Sequence, residues 1–214
     1  MKKIMAMLLA AMMVMSIFAA CSANGDTEGT TTAATTEATT EATTEAVTEE
    51  VTEGEVAAES NASTVILENI WTAVGEDNQF FVMGGNVENY VDGKPGNYNM
   101  EYKENLEYNL LVPNAELANI DEAGFMQHGM NANNFTAGVV KYTGDVTAFA
   151  ETMKDAIQGN QWMCGFPETL VIAVIDSEYV LISFGINDAM GLFVPALSAA
   201  YADAEILYNE AIAA

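Results

Sequence analysis

The chain contains no arginine and only six lysines, two of which, Lys2 and Lys3, stand at its beginning. Against them are 31 acidic residues, for a formal net charge of −25. No cationic stretch is present to displace counterions from phosphates, so nucleic acid, anionic lipid and phosphorylated substrates are disfavoured as partners. Histidine occurs once, as His128, and cysteine twice, as Cys21 and Cys164. A zinc site usually draws on several such ligands, and a catalytic histidine needs a nucleophile or an orienting carboxylate beside it. Gly-rich phosphate loops, a dinucleotide fingerprint and a Gly-x-Ser-x-Gly elbow are all missing. Asp92-Gly93 and Glu76-Asp77-Asn78 offer oxygen ligands but not the spacing of an EF-hand. Neither a cofactor nor a metal site is expected.

What is present begins with a leader. After Lys2 and Lys3 no charge interrupts the chain from Ile4 to Ala20, an apolar run of 17 residues. That is short of the roughly 20 residues of a permanent membrane-spanning helix and suits the core of a cleavable signal. Phe18-Ala19-Ala20-Cys21 then resembles the lipobox of bacterial lipoproteins, although Phe18 replaces the commoner leucine. The resemblance implies a signal peptide at 1–20, cleavage before Cys21, and lipid attachment to that thiol as diacylglycerol with palmitate among its acyl chains. The plainer alternative is an unmodified cysteine at the end of a cleaved signal or of a short membrane helix. One acyl chain binds a membrane marginally whereas two hold stably, so a diacylated Cys21 would keep the protein on the membrane.

Residues 21–62 are almost entirely Thr, Ala, Glu, Gly and Val, without an aromatic side chain. Thr35-Thr36-Glu37-Ala38 recurs at 39–42 and again at 43–46. This repeat has no apolar stripe, threonine is a poor helix former, and nothing offsets the entropy of ordering the backbone. A disordered tether is expected, about 35 Å from end to end if it behaves as a flexible coil. Ten of the 31 acids lie between Asp26 and Glu59. The segment from Asn61 onward keeps 21 against four lysines, a formal charge of −17.

The remaining segment, 63–214, is long enough for one hydrophobic core. Ser63 is placed to cap a helix with Leu67, Ile70, Trp71 and Val74 on one face. Residues 80–83 read as a short strand, 86–99 as turns, 106–112 as an alternating strand and 114–123 as a short helix. A strand over 135–143 precedes an Asp145-capped helix bearing Val146, Phe149, Ala150, Met153 and Ile157. Residues 170–175 and 179–184 form a hairpin around Asp176-Ser177-Glu178. A final helix starts at Asn187 or Asp188, contains Pro195, and is extended through 205–213. The expected fold is α+β, a mainly antiparallel sheet with helices packed on one face.

Three stretches, Asn131-Ala132-Asn133-Asn134-Phe135-Thr136-Ala137-Gly138, Gly159-Asn160-Gln161-Trp162-Met163-Cys164-Gly165-Phe166-Pro167 and Tyr179-Val180-Leu181-Ile182-Ser183-Phe184-Gly185, resemble segments of small clostridial lipoproteins. In that family a signal and a Thr/Glu-rich spacer precede a domain of unknown function. The resemblance implies a Gram-positive anaerobe as host and carries over no activity.

Trp162 and Phe166, in a connection between helix and strand, are the candidate ligand-binding residues, because rings bury much area at low entropic cost. The connection is nevertheless read first as a plug that closes the end of the core, with Trp162 mostly buried and its replacement by Ala costing about 3–5 kcal/mol, and the ligand platform is the alternative. Cys164 is read as a small buried hydrophobe, since no basic residue nearby favours its thiolate. A Cys164/His128 pair is the enzymatic alternative, as a cell-wall or thiol hydrolase. The third reading is an accessory subunit of an envelope or transport complex.

The expected whole is an extracytoplasmic, lipid-anchored binding or interaction module, facing a cell wall or protein partner, its oligomeric state left open. Replacing the lipidated thiol tests the anchor: Cys21→Ser is expected to abolish metabolic palmitate labelling and leave an uncleaved precursor. Labelling of that variant at the wild-type level would exclude lipidation at Cys21.

Overall fold

The computed structural model describes residues 59–213, so the signal peptide at 1–20, Cys21 and the tether as far as residue 58 lie outside the described residues. The first described element is α1 (Ala62–Val74), and its cap is Asn61 rather than Ser63. Asn61 Oδ1 accepts from the Thr64 N–H at 2.8 Å, satisfying a first-turn amide that has no partner inside the helix. Ser63 is instead buried in the first turn, where its N–H and Oγ both donate to Glu122 Oε1 at 3.0 Å. Residues 61 and 62, assigned to the tether on composition, therefore belong to the cap and first turn of this helix.

Three short strands follow: β1 (Val82–Gly84), β2 (Val91–Asp92) and β3 (Gly96–Asn97). The chain folds so tightly here that a Cβ on Gly84 would collide with the Lys94 carbonyl oxygen and the Gly96 amide. Residues 106–112, read as a strand, open with the helical turn α2 (Leu106–Asn109). Leu106 and Leu110 fit both a period of two and a helical i, i+4 spacing, so alternation could not separate the two. Both are buried and Tyr108 is exposed, and the Leu110 N–H donates to the Leu106 carbonyl at 3.0 Å.

The expected helix at 114–123 is also replaced. A single 3-10 turn, Leu117–Asn119, leads into β4 (Ile120–His128), a nine-residue strand whose Asp121, Glu122 and Gly124 are poor strand formers. Pairing with neighbours on both edges overrides that local preference. The elements after it follow their sequence signals: β5 (Phe135–Tyr142), α3 (Val146–Gln158), β6 (Thr169–Ile175), β7 (Tyr179–Gly185) and α4 (Asn187–Ala200). Asp145 caps α3 through the N–H groups of Thr147 and Ala148. The last helix stops at Tyr201, and residues 205–211, expected to prolong it, form the edge strand β8 (Glu205–Ala211) on β6.

The fold is α+β, with one antiparallel sheet in the order β2-β1-β4-β5-β7-β6-β8 and β3 attached to β4. Helices cover both of its faces, not the single face expected. Phe125, Val140, Ile172 and Ile182 pack with Phe149, Met153 and Ile157 of α3 and with Leu106 and Leu110. On the opposite face Met126, Val139, Val171 and Leu181 meet Leu67, Ile70 and Trp71 of α1 and Phe193 and Leu197 of α4. The strands in the middle are apolar at odd and even positions alike, so each face needs its own cover.

Two glycines test this packing. Gly84→Ala is expected to destabilise the fold by about 3 kcal/mol, because backbone must move to admit the methyl group. Gly191, inside α4, has nothing within 4 Å of its ideal Cβ position. Gly191→Ala should therefore stabilise by about 0.5–1 kcal/mol through helix propensity. Urea unfolding midpoints of the two variants check both signs.

Candidate functional site

On the face covered by α2 and α3, three side chains stand in one row across the sheet. Gln127 of β4 is paired with Thr136 of β5, and Thr136 with Phe184 of β7. The helical layer does not close over this end. One wall comes from the end of α2, with Tyr108, Asn109 and Leu111; the other comes from the connection between α3 and β6, with Asn160, Gln161 and Trp162. Together they enclose an open cavity of about 260 Å³.

Local chemistry holds each wall in place. Leu110 packs directly on Gly138, whose missing side chain lets α2 sit close to the sheet. Asn109 Nδ2 donates to the Tyr98 hydroxyl at 3.0 Å. Burial pushes the Tyr98 pKa up to about 12, against the lowering effect of the hydrogen bond from Asn109. Leu111 has φ +60°, a left-handed conformation that costs a branched residue about 1–3 kcal/mol and is typical of functional clefts.

The second wall is bound by asparagines. Asn131 Nδ2 donates to the Cys164 carbonyl at 2.8 Å, and Asn133 Nδ2 to the carbonyls of Met163 at 2.8 Å and Gly165 at 3.2 Å. Trp162, half-buried, rests on Phe184 with ring centroids 5.2 Å apart. Its Nε1 is shielded from solvent and has no hydrogen-bond acceptor among the described residues.

Among the described residues the cavity wall carries no carboxylate, ammonium or imidazole group, although the domain around it has a formal charge of −17. Its polar groups are amides and hydroxyls. The side chains of Gln127, Asn160 and Gln161 hydrogen-bond to nothing among the described residues, which leaves both donors and acceptors open on each.

Of the residues singled out by sequence, Trp162 lines the cavity, packs against the core and joins α3 to β6. Phe166 is exposed and lies outside the lining. Cys164 is exposed, not buried as expected: the backbone carbonyls of its loop turn inward to the asparagine amides, and Cys164 itself takes φ +61°. His128 stacks on Phe80 with centroids 5.8 Å apart. Its Nδ1 accepts from the N–H groups of Met130 at 3.1 Å and Asn131 at 3.4 Å, which puts the proton on Nε2. Asn131 thus touches both neighbourhoods, but no hydrogen bond joins Cys164 Sγ to His128 among the described residues. No group of three or more His, Cys, Asp or Glu is placed to hold a metal ion among them either.

Gln127, Thr136, Tyr108, Asn160 and Gln161 were not legible as site residues. Single amides form no motif, and only the density of Asn and Gln over 127–134 and 158–161 hinted at them. No protein-family model matches the chain, and neither a curated protein nor a solved structure matches it.

The half-buried position of Trp162 revises its energetic role. Trp162→Ala is expected to cost about 2 kcal/mol, less than the about 3–5 kcal/mol of a fully enclosed aromatic. Thermal unfolding of the variant checks this, and a loss above about 4 kcal/mol would make Trp162 a core plug rather than a cavity wall.

Proposed function

We propose that the chain is a lipid-anchored extracytoplasmic binding module whose ligand enters the cavity beside Trp162. The anchor and location are supported by the lipobox-like residues 18–21 and by the resemblance of 131–138, 159–167 and 179–185 to clostridial lipoproteins. The observation that carries the binding reading is the cavity itself: a concave site with three aromatic residues, side-chain amides that have no partner among the described residues and a strained residue at its wall. The hydrolase reading has less support. Cys164 is exposed as a nucleophile requires, but His128 Nδ1 is engaged by backbone amides and no hydrogen bond reaches the thiol among the described residues.

The indole N–H of Trp162 is a built-in reporter. Soluble cell-wall glycan and peptide fragments are expected to shift its NMR resonance, together with the side-chain amide signals of Gln127 and Gln161, more than those of residues on the α1 face. Fragments that leave all three cavity signals unmoved would overturn the binding reading.

A further inference from the structure

We infer that the ligand of this cavity is a neutral saccharide, an inference that rests on the cavity being the binding site. Charge is the first constraint. An anion would meet no cationic group on the wall and would approach a domain with 21 acids and four lysines. A cation would find no carboxylate inside to replace its water. An uncharged ligand is what remains.

Hydrogen-bonding capacity is the second. Gln127, Asn160 and Gln161 each present a donor and an acceptor with no protein partner among the described residues, and a sugar hydroxyl is likewise both. Trp162, which lines the cavity, adds an indole N–H that is buried and has no acceptor among the described residues.

Shape is the third. Tyr108, 76% exposed, offers a ring at the mouth, and the half-buried Trp162 lines the wall, packed on Phe184 at the floor. Aromatic faces carry partial negative charge and suit the C–H faces of a pyranose ring.

Extended peptide fits less well. The floor strands β4, β5 and β7 have neighbours on both edges, so none can accept a peptide as an added strand. The backbone amides of a peptide would then depend on side chains alone. Compact, hydroxyl-rich ligands make better use of the same groups.

Isothermal titration of the full chain in detergent micelles tests this with four probes. These are β-1,4-linked N-acetylglucosamine and glucose tetrasaccharides, an oligogalacturonate, and a neutral blocked peptide of Gly, Ala and Ser. At least one neutral tetrasaccharide should bind more tightly than the oligogalacturonate and the peptide. Tyr108→Ala, at an exposed position that folding tolerates, and Gln127→Ala should each weaken that binding at least tenfold. Preference for the peptide, with the same loss in both variants, would overturn the saccharide assignment while leaving the cavity as the site. Equal or tighter binding of the oligogalacturonate would overturn neutrality of the ligand. Saccharide binding untouched by either variant, or no binding of any probe, would overturn the proposal, and the latter together with unmoved cavity resonances would remove the binding reading as well.

Discussion

Strands β5 and β7 have hydrogen-bonded neighbours on both edges and bury side chains on both faces, and this double enclosure dictates the layers around them. Val139 and Leu181 point to one side, Val140 and Ile182 to the other, all fully buried. Each such side chain contributes about 1.5–3 kcal/mol when removed from water. Neither face can be left to solvent at that magnitude. The helices α1 and α4 therefore close one side, and α3 with the turn α2 closes the other. A sheet open on one face would have carried polar residues at every second position.

The second layer is incomplete, and the cavity is the place where it stops. Between α2 and the connection leaving α3, the row of Gln127, Thr136 and Phe184 forms the floor of the cavity. Gln127 is partly exposed, while Trp162 packs on Phe184 and leaves it 3% exposed. Thr136 is itself buried and satisfies its hydroxyl by donating to the Ala132 carbonyl at 2.9 Å. The site is thus floored by paired strands, which hold side chains more firmly than loops do. Its walls are fixed by the amides of Asn109, Asn131 and Asn133.

These asparagines share the work with neighbours of the same chemistry. Asn131 and Asn133 spend their amides on backbone carbonyls of the 163–165 loop, while the side chains of Gln127, Asn160 and Gln161, which line the cavity, have no partner among the described residues. Residues that look alike in sequence thus stand in different settings. The asparagine bonds also explain Cys164: once the carbonyls of its loop are bound inward, the side chains of Met163 and Cys164 are left outside. The acidic surface and the uncharged cavity are likewise separate features. In the proposed binding reading the first would disfavour anions, and the second would select by hydrogen bonding and shape.

Wherever a local signal had no rival, the sequence by itself determined the outcome. Phe149, Ala150, Met153 and Ile157 recur at helical spacing behind the Asp145 cap, and two apolar runs flank Asp176-Ser177-Glu178, so α3 and the β6–β7 hairpin were legible, as was the α+β class. Local pattern failed where pairing partners decided. Leu106 and Leu110 fit two periods, β4 contains three poor strand formers, and β8 has the composition of a helix until it meets the open edge of β6. The second helical layer and the cavity were invisible for a related reason. Gln127 and Thr136 lie nine residues apart on consecutive strands and Phe184 lies 48 residues further on, and the three become one surface only through strand register. The sequence settles what each segment can be by itself; only tertiary structure decides which edge, face or side chain lies opposite it, because those choices are made by distant partners competing for the same burial and hydrogen bonds.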